Sequence, residues 1–142
     1  MSVLMCPVCR QALNLVANSW QCAKGHHYDV AKQGYVNLHV VQHKHSKTPG
    51  DTPESVLARR EFLQAGFYQP LQQVMVELLQ QLKPKAVLDI GCGEGYYTHA
   101  MQPWTKHCVG VDIAKTAVQR AAKLNSRVVW VVGTGAILPV QD

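Results

Sequence analysis

The sequence predicts an α/β protein in which a small N-terminal β module precedes a parallel sheet. Three observations carry this prediction: apolar runs alternate with helical segments between residues 86 and 132, glycines occupy alternate positions after the first of these runs, and cysteines cluster near the N-terminus. Strands that alternate with helices form parallel sheets through right-handed crossovers. We therefore expect an N-terminal module at residues 1–40, a linker at 41–52 and the α/β unit at 53–142.

The composition is typical of a globular protein. Of the 142 residues, 47% are hydrophobic and 16% are charged, and no apolar run approaches the ~18 residues of a membrane span. The N-terminus lacks the basic and long apolar segments of a secretory signal, so we expect a cytoplasmic protein. Five cysteines in such a chain indicate thiols or metal ligands rather than disulfides.

The net charge of +5 is concentrated near the N-terminus, because residues 1–50 contain five lysines and arginines against one acidic residue. A polyanionic partner is one interpretation of this excess, and a solvated surface is the other.

The N-terminal module contains the spacing C-x2-C-x12-C-x3-H, formed by Cys6, Cys9, Cys22 and His26. Two short chelating turns that meet across a hairpin present four ligands in the tetrahedral geometry of zinc. We predict the hairpin turn at Asn18-Ser19, and His27 is an alternative fourth ligand. Four protein ligands leave no open position for water, so the predicted zinc is structural.

The segment that follows the metal spacing has two interpretations. Short apolar pieces between residues 28 and 41 are predicted to complete a small sheet beside the metal. In the linker, His39, His43, His45 and Lys47 either contact phosphate or form a solvated connector. A second metal site at these histidines has no supporting cysteine or carboxylate pattern.

The remaining elements follow from caps and periodicity. A helix begins at Pro53, capped by Asp51 or Thr52, and ends before Gly66. A second helix carries an apolar stripe, predicted to be core, at Leu71, Val74, Met75, Leu78, Leu79 and Leu82. Strands at 86–90, 108–112 and 128–132 then alternate with helices at 95–101 and 114–124.

The turn after the first of these strands has the spacing G-x-G-x-G, at Gly91, Gly93 and Gly95. Glycines at this spacing let a ligand lie against the backbone. A dinucleotide site needs G-x-G-x-x-G, but Tyr96 stands where the later glycine belongs. A dinucleotide is therefore disfavoured, and a structural turn without a ligand is the other alternative.

Two carboxylates accompany the turn, Asp89 within the first strand and Asp112 at the end of the second. S-adenosylmethionine has no phosphate to bind, but it has a sulfonium, an amino-acid end and a ribose. Asp89 can hold the turn or the amino-acid end, and Asp112 can accept both ribose hydroxyls. The pattern thus favours S-adenosylmethionine as the cofactor, and Gly133-Thr134 either lines its adenine or is an ordinary loop.

Several stretches together resemble the 23S rRNA (guanine-N1)-methyltransferases: the Cys6, Cys9, Cys22, His26 module, residues 31–38, Pro49-Gly50-Asp51, residues 58–63, Gly66-Phe67-Tyr68 and residues 87–98. The resemblance implies a Rossmann-like class I methyltransferase sheet, here with its first three strands. It also implies that Tyr68, Gly93 and Glu94 contact the methyl donor, that the zinc module helps recognise a 23S rRNA hairpin, and that the protein is a homodimer. An aromatic that caps the sheet is the alternative role for Tyr68.

The chain departs from this family because the family's domain continues beyond a third strand. We find no candidate acceptor for the guanine N1 proton before residue 142, and we expect this chain alone to be inactive. Two other functions remain open: a methyltransferase of a small molecule or protein with a structural zinc, and a non-catalytic zinc- and nucleoside-binding remnant.

Overall fold

The computed structural model describes residues 3–40, 46–47 and 49–141. Its strands and helices are β1 (Leu4–Met5), β2 (Ala12–Val16), β3 (Ser19–Gln21), β4 (His27–Asp29), β5 (Tyr35–Asn37), α1 (Pro53–Gln64), α2 (Gln69–Leu82), β6 (Ala86–Ile90), α3 (Tyr96–Met101), β7 (His107–Asp112), α4 (Lys115–Leu124) and β8 (Val129–Val132). Every helix and strand predicted after residue 52 is therefore present. Among the described residues, no helix is long and apolar enough to cross a bilayer.

The N-terminal strands form an antiparallel sheet in the order β1-β2-β3-β4. The hairpin turn lies one residue earlier than predicted, because Ser19 pairs with Val16 and leaves Ala17 and Asn18 to make the turn. Ala17 adopts a left-handed φ of 53° there, and the Asn18 side chain donates to the Val30 carbonyl at 3.1 Å. This hydrogen bond connects the hairpin turn to Val30, the residue that follows β4.

The second sheet is parallel, in the order β5-β8-β7-β6. Here the prediction for residues 28–41 was wrong in one respect, because β5 does not extend the sheet beside the metal. It pairs with β8, with Tyr35 opposite Trp130 and Asn37 opposite Val132. Tyr35 and the following Val36 are both buried, in hydrophobic clusters of opposite faces. Burial on both faces is typical of strands in parallel sheets.

The metal module and one face of the parallel sheet share a single hydrophobic cluster: Leu4, Cys6, Leu13 and Cys22 with Val36, Leu38, Val109, Val111 and Val131. The chain near its C-terminus passes alongside β1, where the Met5 amide donates to the Pro139 carbonyl at 2.9 Å. The guanidinium of Arg10 donates to the carbonyl of Leu138 at 2.9 Å. The N-terminal module is thus packed directly on the sheet.

The opposite face of the parallel sheet packs against α4. Trp130 is 1% exposed and lies in a cluster with Val118, Ala121 and Ala122, and its indole N–H donates to the Asn125 carbonyl at 2.7 Å. Because the indole is both buried and hydrogen-bonded, it fixes the position of α4 on the sheet.

The apolar stripe of α2 was predicted to be core, and in this structure it is largely exposed. Leu79 is buried, but Leu71, Val74, Leu78 and Leu82 are between 48% and 66% exposed. On the neighbouring edge strand β6, Ile90 is 54% exposed. The prediction was wrong because no element of the described chain packs against this side.

Candidate functional site

The glycine turn follows β6, and three of its first five residues have a left-handed backbone conformation. The φ angles of Gly91, Gly93 and Gly95 are 75°, 55° and 85°, a region that side chains disfavour. A Cβ atom at Gly91 or Gly93 would meet nothing within 4 Å. The first two glycines therefore present open backbone, as the predicted binding turn requires.

Asp112 ties this turn to the start of α4. Its Oδ2 accepts the Gly93 N–H at 2.9 Å, and its Oδ1 accepts the Ala114 N–H at 2.8 Å. Each carboxylate oxygen keeps a further lone pair for an incoming hydroxyl. The carboxylate is thus held in position while it retains the capacity to accept a diol, which is the chemistry predicted for it.

Asp89 connects the turn to α3 instead. Its Oδ2 accepts the hydroxyl of the fully buried Thr98 at 2.6 Å. Burial raises the pKa of Asp89, the bond from Thr98 opposes this, and the negative charge of Asp112 adds to the rise. The cost of a buried charge favours a ligand that brings a positive group near Asp89.

Glu94 forms ion pairs with two guanidinium groups, one from each of two helices. Arg60 of α1 donates from Nε to both carboxylate oxygens, at 2.8 and 3.1 Å, and from Nη2 to Oε2 at 2.8 Å. Arg120 of α4 approaches Oε2 at 2.8 Å. Neither arginine was assigned a role from the sequence, because their distance from Glu94 along the chain gives no periodic signal.

These groups line one cavity of about 410 Å³, a size within the range of small-molecule sites. Of the predicted cofactor residues, Asp89, Gly91, Gly93, Glu94 and Asp112 line it. Gly95 is buried at the start of α3, where an added Cβ would collide with Trp130 and His99. Among the described residues that line the cavity Tyr68 is absent; its ring packs edge-on against Phe62. The structure thus brings five of the seven predicted residues together.

His99 and Cys92 are among the other cavity-lining residues that the sequence analysis missed. The His99 ring lies 5.1 Å from the Trp130 ring and is tilted by 60° to it, and burial lowers the pKa of His99. Burial also raises the pKa of the Cys92 thiol, and Asp112 and Asp89 add to this. Cys92 is therefore a protonated thiol, which is a poor nucleophile.

The four predicted metal ligands converge in the N-terminal module. The ligand atoms of Cys6, Cys9, Cys22 and His26 all lie within 4.8 Å of one another. Cys9 Sγ is 3.6 Å from Cys22 Sγ, and His26 Nδ1 is 3.4 Å from Cys22 Sγ. Tetrahedral zinc with Zn–S near 2.3 Å gives edges of about 3.6 to 3.8 Å, so this donor set fits zinc.

His27, the alternative fourth ligand, lies outside this group. Its Nδ1 is 3.5 Å from the Gly25 carbonyl. Inside the group, the Tyr28 hydroxyl lies 3.4 Å from Cys6 Sγ. Burial opposes ionisation of Cys6, but bonds from Tyr28 and from neighbouring groups outweigh it and lower its pKa to about 6. A thiolate at Cys6 is the form that a metal requires.

Only part of the predicted linker lies within the described residues. His43 and His45 lie outside the described residues, as do residues 41, 42, 44 and 48. A second cavity, of about 230 Å³, is lined by His39, Lys47 and Lys115 among others, and it shares Asp51 and Ala114 with the first. Basic groups therefore lie beside the glycine-turn cavity.

Two protein families match the chain, one in each of its two regions. Residues 4–47 match the family described as RlmA, N-terminal, a zinc ribbon. Residues 87–142 match the family described as Methyltransferase domain. The metal cluster lies within the first match, and the glycine turn lies within the second.

Similar proteins carry both regions. A Micromonospora griseorubida protein named as a 23S rRNA (guanine-N(1)-)-methyltransferase is 33% identical over 98% of this chain and 54% of its own length. The Streptomyces fradiae 23S rRNA (guanine(748)-N(1))-methyltransferase is 34% identical over 87% of this chain and 45% of its own. Both regions of the chain are thus similar to the 23S rRNA (guanine-N1)-methyltransferases, with a zinc ribbon followed by a methyltransferase domain. These matches confirm the resemblance and the fold class predicted from the sequence.

The chain spans about half the length of the curated relatives that it matches. Another such relative, YxjB of Bacillus subtilis, is 28% identical over 99% of this chain and 53% of its own length. Among solved structures, the Bacillus subtilis YcgJ protein covers 50% of this chain at 30% identity, with a TM-score of 0.46.

Proposed function

We propose that the glycine-turn cavity binds S-adenosylmethionine and that the protein methylates N1 of a guanine in a 23S rRNA hairpin loop. The observation that carries the proposal is the Asp112 carboxylate, held by the Gly93 and Ala114 amides beside an open turn. The cofactor contacts that we propose within the cavity are those of Asp89, Gly91, Gly93, Glu94 and Asp112. Gly95 would act by shaping the turn, and Tyr68, proposed from the family resemblance, would have to reach the donor from outside the lining. The relatives' names support the substrate.

The bound donor would supply an activated methyl group on a cationic sulfur. The task of the protein's own residues is then alignment and exclusion of water. Asp112 would orient the ribose, and the charge of Asp89 would favour the positive end of the donor. Guanine N1 lies on the base-pairing edge, so the base must be unpaired or turned out of the helix.

The zinc-ribbon module is proposed to add RNA affinity, because residues 1–50, which contain the module and most of the linker, hold five basic residues against one acidic residue. The fit of Cys6, Cys9, Cys22 and His26 to zinc supports a structural ion in that module. An rRNA substrate supports a cytoplasmic location, and the family resemblance supports a homodimer, which light scattering on the purified protein would test.

The donor proposal is tested by calorimetry of S-adenosylmethionine with the 142-residue chain. We expect one site per chain, and Asp112→Ala should weaken binding by at least about 30-fold because charge-assisted hydrogen bonds are lost. Glu77→Ala, which removes an exposed carboxylate on α2, is the control and should bind normally. Absence of binding to the folded chain, or full affinity after Asp112→Ala, would contradict the proposal and favour the remnant.

The RNA proposal is tested with a 23S rRNA hairpin at several salt concentrations. We expect affinity to fall with salt and to fall further in a Lys24→Gln, Lys32→Gln double variant, since each phosphate contact releases counterions. Lys85→Gln with Lys106→Gln removes the same charge from exposed positions outside the module and is the control. An equal loss of RNA affinity in both double variants, or an RNA affinity that does not depend on salt, would contradict RNA binding by the module and favour a different substrate.

A further inference from the structure

Helix α1 forms a wall of the donor cavity although none of its residues is buried. Val56, Arg59, Arg60 and Leu63 line the cavity, and the helix has no buried residue. Helices in proteins are normally fixed by an apolar face packed against the core. Another kind of contact must therefore hold α1 in place.

The N-terminal end of α1 is fixed through the backbone before it. Gly50 adopts a φ of 94° and lies so close to Ala114 that an added Cβ would be 2.9 Å from the Ala114 Cβ. The Thr52 side chain then caps the helix by accepting the Ser55 amide at 3.2 Å. These contacts position the start of the helix but leave its second half without an anchor of this kind.

Arg60 provides the anchor in the second half. Its guanidinium meets both oxygens of Glu94 across the cavity wall, and the side chains are 27% and 16% exposed. Bidentate guanidinium–carboxylate pairs are the strongest and most directional of the charged contacts. Glu94 belongs to the glycine turn, so this pair joins α1 directly to the turn.

Arg120 shows that the role of Arg60 is not simply to neutralise Glu94. Arg120 reaches the same carboxylate from α4, at 2.8 Å. Arg120 belongs to α4, which is packed on the sheet, so its contact joins α4 to the glycine turn and does not involve α1. Of the two arginines that contact Glu94, only Arg60 spans from α1 to the turn.

We propose that Arg60 is a positioning residue that holds α1 against the glycine turn as a wall of the donor cavity, so that donor release requires the Arg60–Glu94 pair to break. The inference deepens the proposed function, on which the identity of the ligand rests. The motion itself depends on the pair and on the lack of buried residues in α1, whose Phe62 ring packs against Phe67 and Tyr68 in the segment that follows the helix.

Hydrogen exchange of the ligand-free chain tests the motion. In Arg60→Ala we expect the amides of residues 53–64 to exchange roughly fivefold faster, because the anchored helix opens more often. Arg120→Ala removes an equal charge from Glu94 and should leave exchange in this segment unchanged. Arg60→Lys, which keeps the charge, should restore part of the protection. Equal exchange in Arg60→Ala and the unchanged chain would overturn the proposal.

Stopped-flow binding of S-adenosylmethionine tests the consequence for the ligand. Arg60→Ala should raise the dissociation rate roughly fivefold and leave the melting temperature within error, whereas a merely structural role would lower the melting temperature. A dissociation rate in Arg60→Ala equal to that of the unchanged chain would overturn the role in release. If exchange in α1 rises but no variant binds S-adenosylmethionine, the anchor is supported and the proposed function fails.

Discussion

Replacing Cys9 with alanine is expected to unfold the N-terminal sheet and to loosen the parallel sheet packed on it. Cys9 is the least buried cysteine of the metal cluster, so its replacement leaves the smallest cavity. Structural zinc contributes about 10 to 16 kcal/mol of binding energy in small domains, as much as the whole stability of a typical domain. Because Cys6 and Cys22 share a cluster with Val109 and Val131, the loss should reach β7 and β8.

Zinc content, thermal unfolding and hydrogen exchange measure this result. The unchanged chain should contain one zinc, and chelation should lower its melting temperature, whereas Cys9→Ala should contain none and be insensitive to chelator. Cys108→Ala is the control, because Cys108 is a buried thiol in β7 outside the cluster and its loss should leave zinc content unchanged. One zinc per chain and an unchanged melting temperature in Cys9→Ala would refute the metal assignment.

Replacing Gly95 with alanine should destabilise the chain by about 2 to 4 kcal/mol, the sum of left-handed strain and overpacking. The residue has a φ of 85°, and an added Cβ would lie 2.7 Å from the Trp130 ring and 2.7 Å from His99 Nε2. Trp130 cannot move aside easily, since it is almost fully buried and its indole is hydrogen-bonded.

Gly91→Ala is the matched control, because its φ of 75° imposes similar backbone strain while an added Cβ meets nothing within 4 Å. We expect it to cost only about 1 to 2 kcal/mol, from the strain alone. Urea unfolding of both variants measures the difference. Equal losses would show that the contact with Trp130 does not constrain the turn.

The local elements of the α/β unit were predictable from the sequence. The strand predicted at 86–90 is β6 at Ala86–Ile90, and the helix predicted from Pro53 begins there with Thr52 as its cap. Such features depend on periodicity, caps and glycines within a few residues. The metal spacing and the glycine turn are recognisable as sequence motifs, which is why the ligand group and the two carboxylates could be named in advance.

The tertiary structure decided what depends on residues far apart in sequence. It paired β5 with β8, brought His26 rather than His27 to the cysteines, and placed Arg60 and Arg120 on Glu94. It also left the α2 stripe exposed, although its periodicity alone predicted core. A periodic pattern specifies which face of an element is apolar, but what covers that face depends on long-range contacts that the pattern does not encode.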